Sequence, residues 1–247
     1  MSTFHGRCGG QPLRTALVLA GGLGTRLRPV VSDRPKPLAQ VGGEPFLGRL
    51  LRRLKAQGLE RVVLCVGHLW ERIADYVGDG APWGLDVVLS VERTPLGTAG
   101  ALKNAERHVE GPFFVLNGDT FLDVSLAAMA RFHEENGWLA TMAVTRVEDA
   151  GRFGLVEKDF RGRLLSFNEK KGIPGAPGWV NGGVYLFERR VLGLIPAGRP
   201  VSLEQEVFPG LIERGEAVGC FAAPGYFIDI GTPESFFKSQ KEREYLP

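Results

Sequence analysis

Between residues 13 and 137 the chain alternates short, mostly apolar runs with longer stretches of helical period. No other feature of the sequence limits its fold as much. Residues 13–20, 61–66, 85–91 and 112–116 are apolar over most of their length, the pattern of strands buried on both faces. Between them, residues 45–57 place Phe46, Leu47, Leu50, Leu51 and Leu54 on one helical face with basic residues on the other, and Gly58 ends the stretch. Residues 69–77, 98–108 and 126–136 also read as helices, the last closed by Gly137. Such alternation predicts βαβ units and a mostly parallel sheet.

Beyond residue 137 the pattern loosens. Strands are expected at 140–147, 180–187 and 217–222, a hairpin within 153–167 turning at Arg161-Gly162, and helices at 203–214 and 233–244. No linker or internal repeat interrupts the chain. The expectation is one α/β domain with a mixed central sheet over residues 13–247, preceded by a polar, loosely ordered extension over residues 1–12. In such sheets ligands bind beyond the carboxyl ends of the strands.

Composition narrows the partners. A net charge of +2 with no basic run leaves no footprint for nucleic acid. No apolar run approaches the ~18–20 residues that span a bilayer, and the first residues offer no apolar stretch for a secretory signal. No membrane partner is expected, and the expected location is cytoplasmic. Cys8, Cys65 and Cys220 are distant from one another, which argues against a metal or disulfide framework; Cys65 reads as a core residue. The four histidines, His5, His68, His108 and His133, show no ligand spacing. The 34 glycines gather in short phrases rather than at a fixed period, which predicts tight loops against a ligand.

The strongest phrase is Leu19-Ala20-Gly21-Gly22-Leu23-Gly24-Thr25-Arg26-Leu27, followed by Pro35-Lys36-Pro37. Glycines after a buried strand let backbone N–H groups approach phosphate oxygens, and Arg26 and Lys36 add fixed positive charge. The dinucleotide fingerprint GxGxxG is broken by Leu27, and the phosphate loop GxxxxGK[ST] is not matched. Two carboxylates stand at expected strand ends: Asp119 in Asn117-Gly118-Asp119, and Asp229 before Ile230-Gly231-Thr232-Pro233. With phosphate oxygens and water, they would suit octahedral Mg²⁺. Asp123 reads as a turn or cap residue.

These phrases resemble the sugar nucleotidyltransferase, or NDP-sugar pyrophosphorylase, family, in order and from about residue 13 to about residue 238. The resemblance implies a Rossmann-like (GT-A-like) nucleotide-diphospho-sugar transferase fold. It implies that Arg26 steadies the leaving pyrophosphate, Lys36 grips the phosphates, and Asp119 and Asp229 hold Mg²⁺. Leu19, Ala20, Gly21, Gly22, Gly24 and Thr25 would meet the nucleotide. So would the base loop Glu92-Arg93-Thr94-Pro95-Leu96-Gly97-Thr98, chiefly through Glu92, Pro95, Gly97 and Thr98. Gly118, Gly154, Glu169, Lys170, Asn181 and Gly182 resemble the sugar-phosphate set; Lys171 stands where a proline is usual, so either Lys170 or Lys171 could meet the phosphate.

Glu92 is the informative base-loop position, because a carboxylate only accepts hydrogen bonds and guanine offers adjacent N–H donors. Further phrases resemble the D-glycero-α-D-manno-heptose 1-phosphate guanylyltransferases: residues 28–37, Gly78-Asp79-Gly80, Trp83-Gly84 and residues 113–120. The expected reaction transfers GMP from GTP to that sugar phosphate, with no nucleophile from the protein. Alternatives are a mannose-1-phosphate guanylyltransferase, a uridylyl- or thymidylyltransferase acting on glucose or N-acetylmuramate 1-phosphate, and a non-catalytic nucleotide-sugar-binding regulator. Some relatives carry a left-handed β-helix after the Asp229 motif, and none is expected here. A homo-oligomer is compatible with the apolar helix faces.

Overall fold

The computed structural model describes residues 7–8, 11–168 and 175–246. The first half is the expected alternation: β1 (Thr15–Leu19), α1 (Phe46–Ala56), β2 (Arg61–Val66), α2 (Trp70–Val77), β3 (Asp86–Val91), α3 (Gly97–Asn104) and β4 (Phe113–Asn117). A short strand β5 (Thr120–Leu122) and helix α4 (Leu126–Asn136) follow. The second half holds β6 (Ala140–Val147), β7 (Leu155–Lys158), β8 (Leu164–Asn168), β9 (Gly178–Phe187), α5 (Phe208–Glu213), β10 (Val218–Ala222), β11 (Phe227–Asp229) and α6 (Pro233–Lys241).

Nine strands form one mixed sheet in the order β8-β7-β9-β4-β1-β2-β3, with β6 paired to β9 and β10 to β6. The four strands β4, β1, β2 and β3 are parallel. The long strand β9 runs antiparallel to β4 and to β6 and joins the two halves. Parallel register aligns Leu19 with Cys65 and with Asn117, and Val66 with Val91. The loops after these strands therefore open at one edge of the sheet.

Both faces of the sheet are covered, which explains the largely apolar runs. Leu17, Val63 and Val115 face α3 and α5, packing with Leu102, Tyr185 and Phe208. Val18, Leu64 and Phe114 face α1, α2 and α4, packing with Leu51, Ile73 and Met129. Cys65 lies in the core as expected, and burial pushes its thiol up to about 12.

Four elements depart from expectation, among them the helix expected over 233–244, which ends at Lys241 before a 3₁₀ turn, Arg243–Tyr245. The helix expected over 203–214 is broken into a π-helical turn, Leu203–Val207, and α5. Pro209 lies in the first turn of α5, where its missing N–H costs nothing, and it cannot continue the hydrogen-bond ladder of the preceding turn. The helix expected over 98–108 ends at Asn104 and continues as a 3₁₀ turn, Glu106–His108. Within the expected N-terminal extension, Arg7–Cys8 pairs with Gln11–Pro12 as a short antiparallel ladder.

Candidate active site

The loop after β1 forms one wall of a cavity of about 450 Å³ at the carboxyl edge of the parallel strands. Residues 19–26 line it together with Lys36, Pro37, Glu92, Pro95, Gly97, Thr98, Ala101, Asn117, Asp119 and Gly231. Every residue expected to meet the nucleotide is thus gathered in one place, although they come from three separate strand ends and from the turn at Lys36.

At one end of the cavity lie two cations and two carboxylates. Lys36 opens a 3₁₀ turn, Lys36–Leu38, between Pro35 and Pro37. Its side chain is nearly covered, and its amine donates to Asp119 Oδ2. Asp119 Oδ1 accepts from Thr120 Oγ1 at 3.0 Å. Antiparallel pairing of β5 with β11 sets Thr120 opposite Asp229, and Ile230 N–H donates to the Asp119 carbonyl at 2.8 Å. Immediately afterwards Thr232 and Ser235 form a capping box at the start of α6, so residues 229–231 are pinned at both ends. Asp229 Oδ1 accepts from Gly231 N–H at 2.8 Å, and Oδ2 accepts from Arg152 Nη2 at 3.3 Å.

These groups crowd around Gly231. A Cβ there would lie 2.5 Å from Asp229 Oδ1, 3.0 Å from Lys36 Nζ and 3.6 Å from Arg26 Nη2. Burial alone would push the Asp119 carboxyl up. The charges of Lys36 and Arg26 and the hydrogen bonds from Lys36 and Thr120 outweigh it, holding the group below the usual carboxylate range. Among the described residues no group of three or more His, Cys, Asp or Glu side chains is placed to hold a metal by itself. Two hard carboxylates fit a hard divalent cation that completes its shell with phosphate oxygens and water.

The other end is set by Glu92, which follows β3 and is tied to β2 through Glu92 N–H to Val66 O at 2.8 Å. Its carboxylate reaches back against the glycine phrase. Oε1 lies 2.8 Å from where a Gly21 Cβ would stand and 2.9 Å from a Gly67 Cβ. Oε2 accepts from Leu96 N–H at 3.2 Å. Any side chain at 21 or 67 would displace this carboxylate. Its half-buried position raises its pKa above the usual value.

A second cavity of about 640 Å³ borders Asp229. Arg152, Phe153, Trp179, Phe227 and Lys238 are among its walls, with Phe153 and Phe227 in edge contact at 5.4 Å between ring centroids. The expected sugar residues are placed unevenly. Gly154 lies just before β7 and beside this wall. Asn181 is engaged within the protein, donating to Tyr185 Oη at 2.6 Å and accepting from Gly183 N–H at 2.9 Å. Gly182 packs against Leu122 and Ala143, and Gly118 against Leu19. None of Gly118, Gly154, Asn181 and Gly182 lines either of these two cavities. Glu169, Lys170 and Lys171 lie outside the described residues.

Among the residues of the site that the sequence did not mark are Gly67, Asn117, Arg152, Trp179 and Gly231. Asn117 and Gly231 sit inside quoted phrases. Arg152 immediately precedes Phe153-Gly154, a cation beside a sugar-like phrase. Asn117 Oδ1 is buried on the cavity wall with no hydrogen-bond partner among the described residues, an acceptor left for a ligand or water. Asp123, read as a turn or cap residue, pairs with Arg53 on α1.

A glycine-walled cavity at parallel strand ends, with cations and paired carboxylates at one end, is the setting of a nucleotide-handling transferase. The chain belongs to the nucleotidyl transferase family, whose sequence model matches residues 15–244. It is 38% identical over 229 residues, 92% of this chain, to the mannose-1-phosphate guanylyltransferase of Mycobacterium tuberculosis, and spans 64% of that protein's length. It is 35% identical over 222 residues to the D-glycero-α-D-manno-heptose 1-phosphate guanylyltransferase of Campylobacter jejuni, covering 90% of this chain and 96% of the relative. The crystal structure of HddC from Yersinia pseudotuberculosis superimposes with a TM-score of 0.83 at 32% identity, covering 94% of this chain and 100% of that one. The same protein complexed with GMP-PN gives a TM-score of 0.82. No described helix is long and apolar enough to cross a membrane.

Proposed function

We propose that the chain transfers GMP from GTP to a manno-configured sugar 1-phosphate, D-glycero-α-D-manno-heptose 1-phosphate, with release of pyrophosphate. The observation that carries this reading is the single cavity with Arg26, Lys36 and Asp119 at one end and the Glu92 carboxylate at the other. Guanine presents N1–H and N2–H₂ side by side, and a carboxylate accepts both, whereas uracil and thymine present one N–H between two carbonyls. The GMP-PN complex of the similar HddC structure supports the same base. The second cavity, across Asp229, receives the sugar. Mannose 1-phosphate is the second reading, supported by the 38% identity to the mycobacterial enzyme.

In the reaction a phosphate oxygen of the sugar phosphate attacks the α-phosphorus of GTP. One P–O bond forms, the bond from the α-phosphorus to the bridging oxygen breaks, and pyrophosphate leaves with the electron pair. No protein nucleophile is needed. Residues 19–26 offer backbone N–H groups to the phosphates, and Arg26 and Lys36 spread the charge that builds on the leaving group. Asp119 and Asp229 would hold Mg²⁺, which when bound supplies charge neutralisation at the phosphates. Asp119, kept ionised by its cationic neighbours, is available as a ligand across the neutral range.

A matrix of GTP, UTP, dTTP, CTP and ATP against heptose, mannose, glucose and N-acetyl-sugar 1-phosphates, read as pyrophosphate release with Mg²⁺, tests the proposal. Turnover is expected with GTP and the manno-configured sugars and is expected to be lost in Asp119→Ala. Turnover with UTP or dTTP and none with GTP would overturn it. Nucleotide binding without turnover on any sugar phosphate would point instead to a regulatory binding protein.

A further inference from the structure

The segment leading into α5 is zipped onto the start of α3. Val201 N–H donates to Leu96 O at 2.8 Å, and the Val201 carbonyl accepts from Ala99 and Gly100 N–H at 2.9 and 3.2 Å. The Ala99 N–H belongs to the first turn of the helix, where no intrahelical partner exists. The approach is close enough that a Cβ at Gly97 would lie 2.6 Å from Val201 O. Leu203 N–H then donates to Thr98 Oγ1 at 2.8 Å, and Thr98 Oγ1 donates to Glu204 Oε2 at 2.8 Å.

The Glu204 carboxylate is itself held. Ser202 Oγ donates to the same oxygen at 2.9 Å and accepts the N–H groups of Glu204 and Gln205 at 3.2 and 3.1 Å. The backbone there is the π-helical turn Leu203–Val207, a rare geometry that recurs at functional sites.

The consequence for Thr98 is a matter of counting. A hydroxyl has one proton and two lone pairs. Here the proton goes to Glu204 and one lone pair is taken by Leu203 N–H. One lone pair remains on a residue of the cavity wall. Toward a ligand, Thr98 can only accept.

We propose that Glu204 is a positioning residue that fixes Thr98 as an acceptor, and that Thr98 thereby reads a ribose hydroxyl of the nucleotide. The inference rests on the nucleotide reading of this cavity. Triphosphate oxygens carry no donors at neutral pH, so a nucleoside triphosphate offers donors only from its base and its ribose. Glu92, in the same loop, takes the base donors, and the ribose hydroxyls are left for Thr98. Glu204 touches no substrate; it acts by holding the Thr98 proton.

The test is calorimetric binding of GTP, 2′-deoxy-GTP and 3′-deoxy-GTP to the wild-type chain and to Thr98→Val, Glu204→Ala and Glu204→Gln, with pyrophosphate release followed in parallel. The wild type is expected to bind GTP about tenfold or more tighter than one of the deoxy analogues, because loss of the hydroxyl leaves a desolvated acceptor unpaired. That gap should close to within about threefold in Thr98→Val and in Glu204→Ala. It should persist in Glu204→Gln, whose amide oxygen still accepts from Thr98. KM for GTP should rise in Glu204→Ala with kcat within about twofold, as for a group acting on binding alone. No gap in the wild type, or a gap that survives Thr98→Val, overturns the proposal. So does a gap that survives Glu204→Ala in protein shown by circular dichroism to be folded. If Glu204→Ala does not fold, Thr98→Val decides, since it removes only the two Oγ1 bonds and leaves the Ser202 bonds that hold the turn at 202–207. The expected pattern of binding gaps with no turnover on any sugar phosphate would refute the transferase reading and leave this one standing.

Discussion

Gly231 shows how little tolerance the site has at the level of single atoms. A methyl group there would press on the Asp229 carboxylate and on the Lys36 amine together, and neither can retreat without losing its partner. Gly231→Ala is therefore expected to lower kcat by roughly 100-fold or more, the scale of misplacing reacting groups by about an ångström, with little change in thermal unfolding. Equal losses of stability and activity would refute this. Glu92 makes a different prediction. Its raised pKa means that the folded protein keeps the proton to higher pH than the unfolded chain does. The stability that the neutral carboxyl contributes is full at low pH and is lost as pH rises through the raised value. Guanine needs the ionised form, so affinity for GTP should fall as pH drops through the same value. Glu92→Gln should lose that acid limb, bind GTP about tenfold or more weakly, and narrow the gap to UTP. An unchanged pH profile of GTP binding in Glu92→Gln would remove Glu92 from base reading. Arg26, Asp119 and Glu92 were legible because each sits in a short phrase at a strand end, and Lys36 because two prolines frame it. Gly67 and Arg152 were not, because their roles depend on which strand lies beside which.

At the scale of elements, the phrase Asn181-Gly182-Gly183 illustrates what spacing can and cannot say. It resembled a sugar-contact motif, and the structure gives it a second task. Met142 pairs with Tyr185 and Val144 with Asn181, so β9 carries two more residues than β6 across the break, a bulge of the kind found beside active sites. Gly183 has φ +71, in the region that favours glycine, and a Cβ there would lie 3.0 Å from Asn117 Nδ2 on the cavity wall. Gly183→Ala should cost about 1–3 kcal/mol in urea unfolding and disturb Asn117. A stability loss below about 0.5 kcal/mol would mean that the bulge relaxes freely. Strongly periodic elements were readable to within a residue or two: β2 and α4 match their expected bounds. The break before α5 was not foreseen, since an apolar period runs through residues 203–214 and only the position of Pro209 marks the change of helix type. The bulge was equally invisible, because two glycines inside a strand pattern do not state how many residues the neighbouring strand has.

Across the whole molecule the sheet divides into two working halves that meet at β4 and β9. The parallel half ends in the glycine phrase, Gly67 and Glu92. The other half, antiparallel except for the parallel pair β6 and β10, supplies Trp179 at the start of β9 and Arg152 and Phe153 just before β7. Asp119 follows β4 and is tied to Asp229 through β5 and β11, so the carboxylates stand on the seam between the halves. Alternating apolar runs could foretell the parallel half, whose order follows from βαβ rules. The mixed half has no such rule, and its strand order was not legible. If the proposed division of labour holds, substitutions should sort kinetically by half. Trp179 lines the second cavity, with Lys158 Nζ 5.2 Å from its ring centroid. Trp179→Ala should raise KM for the sugar phosphate by about tenfold or more and leave KM for GTP within about twofold. Glu92→Gln should do the reverse, and Asp119→Ala should strike kcat, as expected of groups that act on one bound substrate or on the transition state. Steady-state kinetics with each substrate varied at saturation of the other reads all three. A Trp179→Ala variant whose two KM values rise together would show that the cavities are not separate substrate chambers, and the sugar would have to be sought elsewhere along β9.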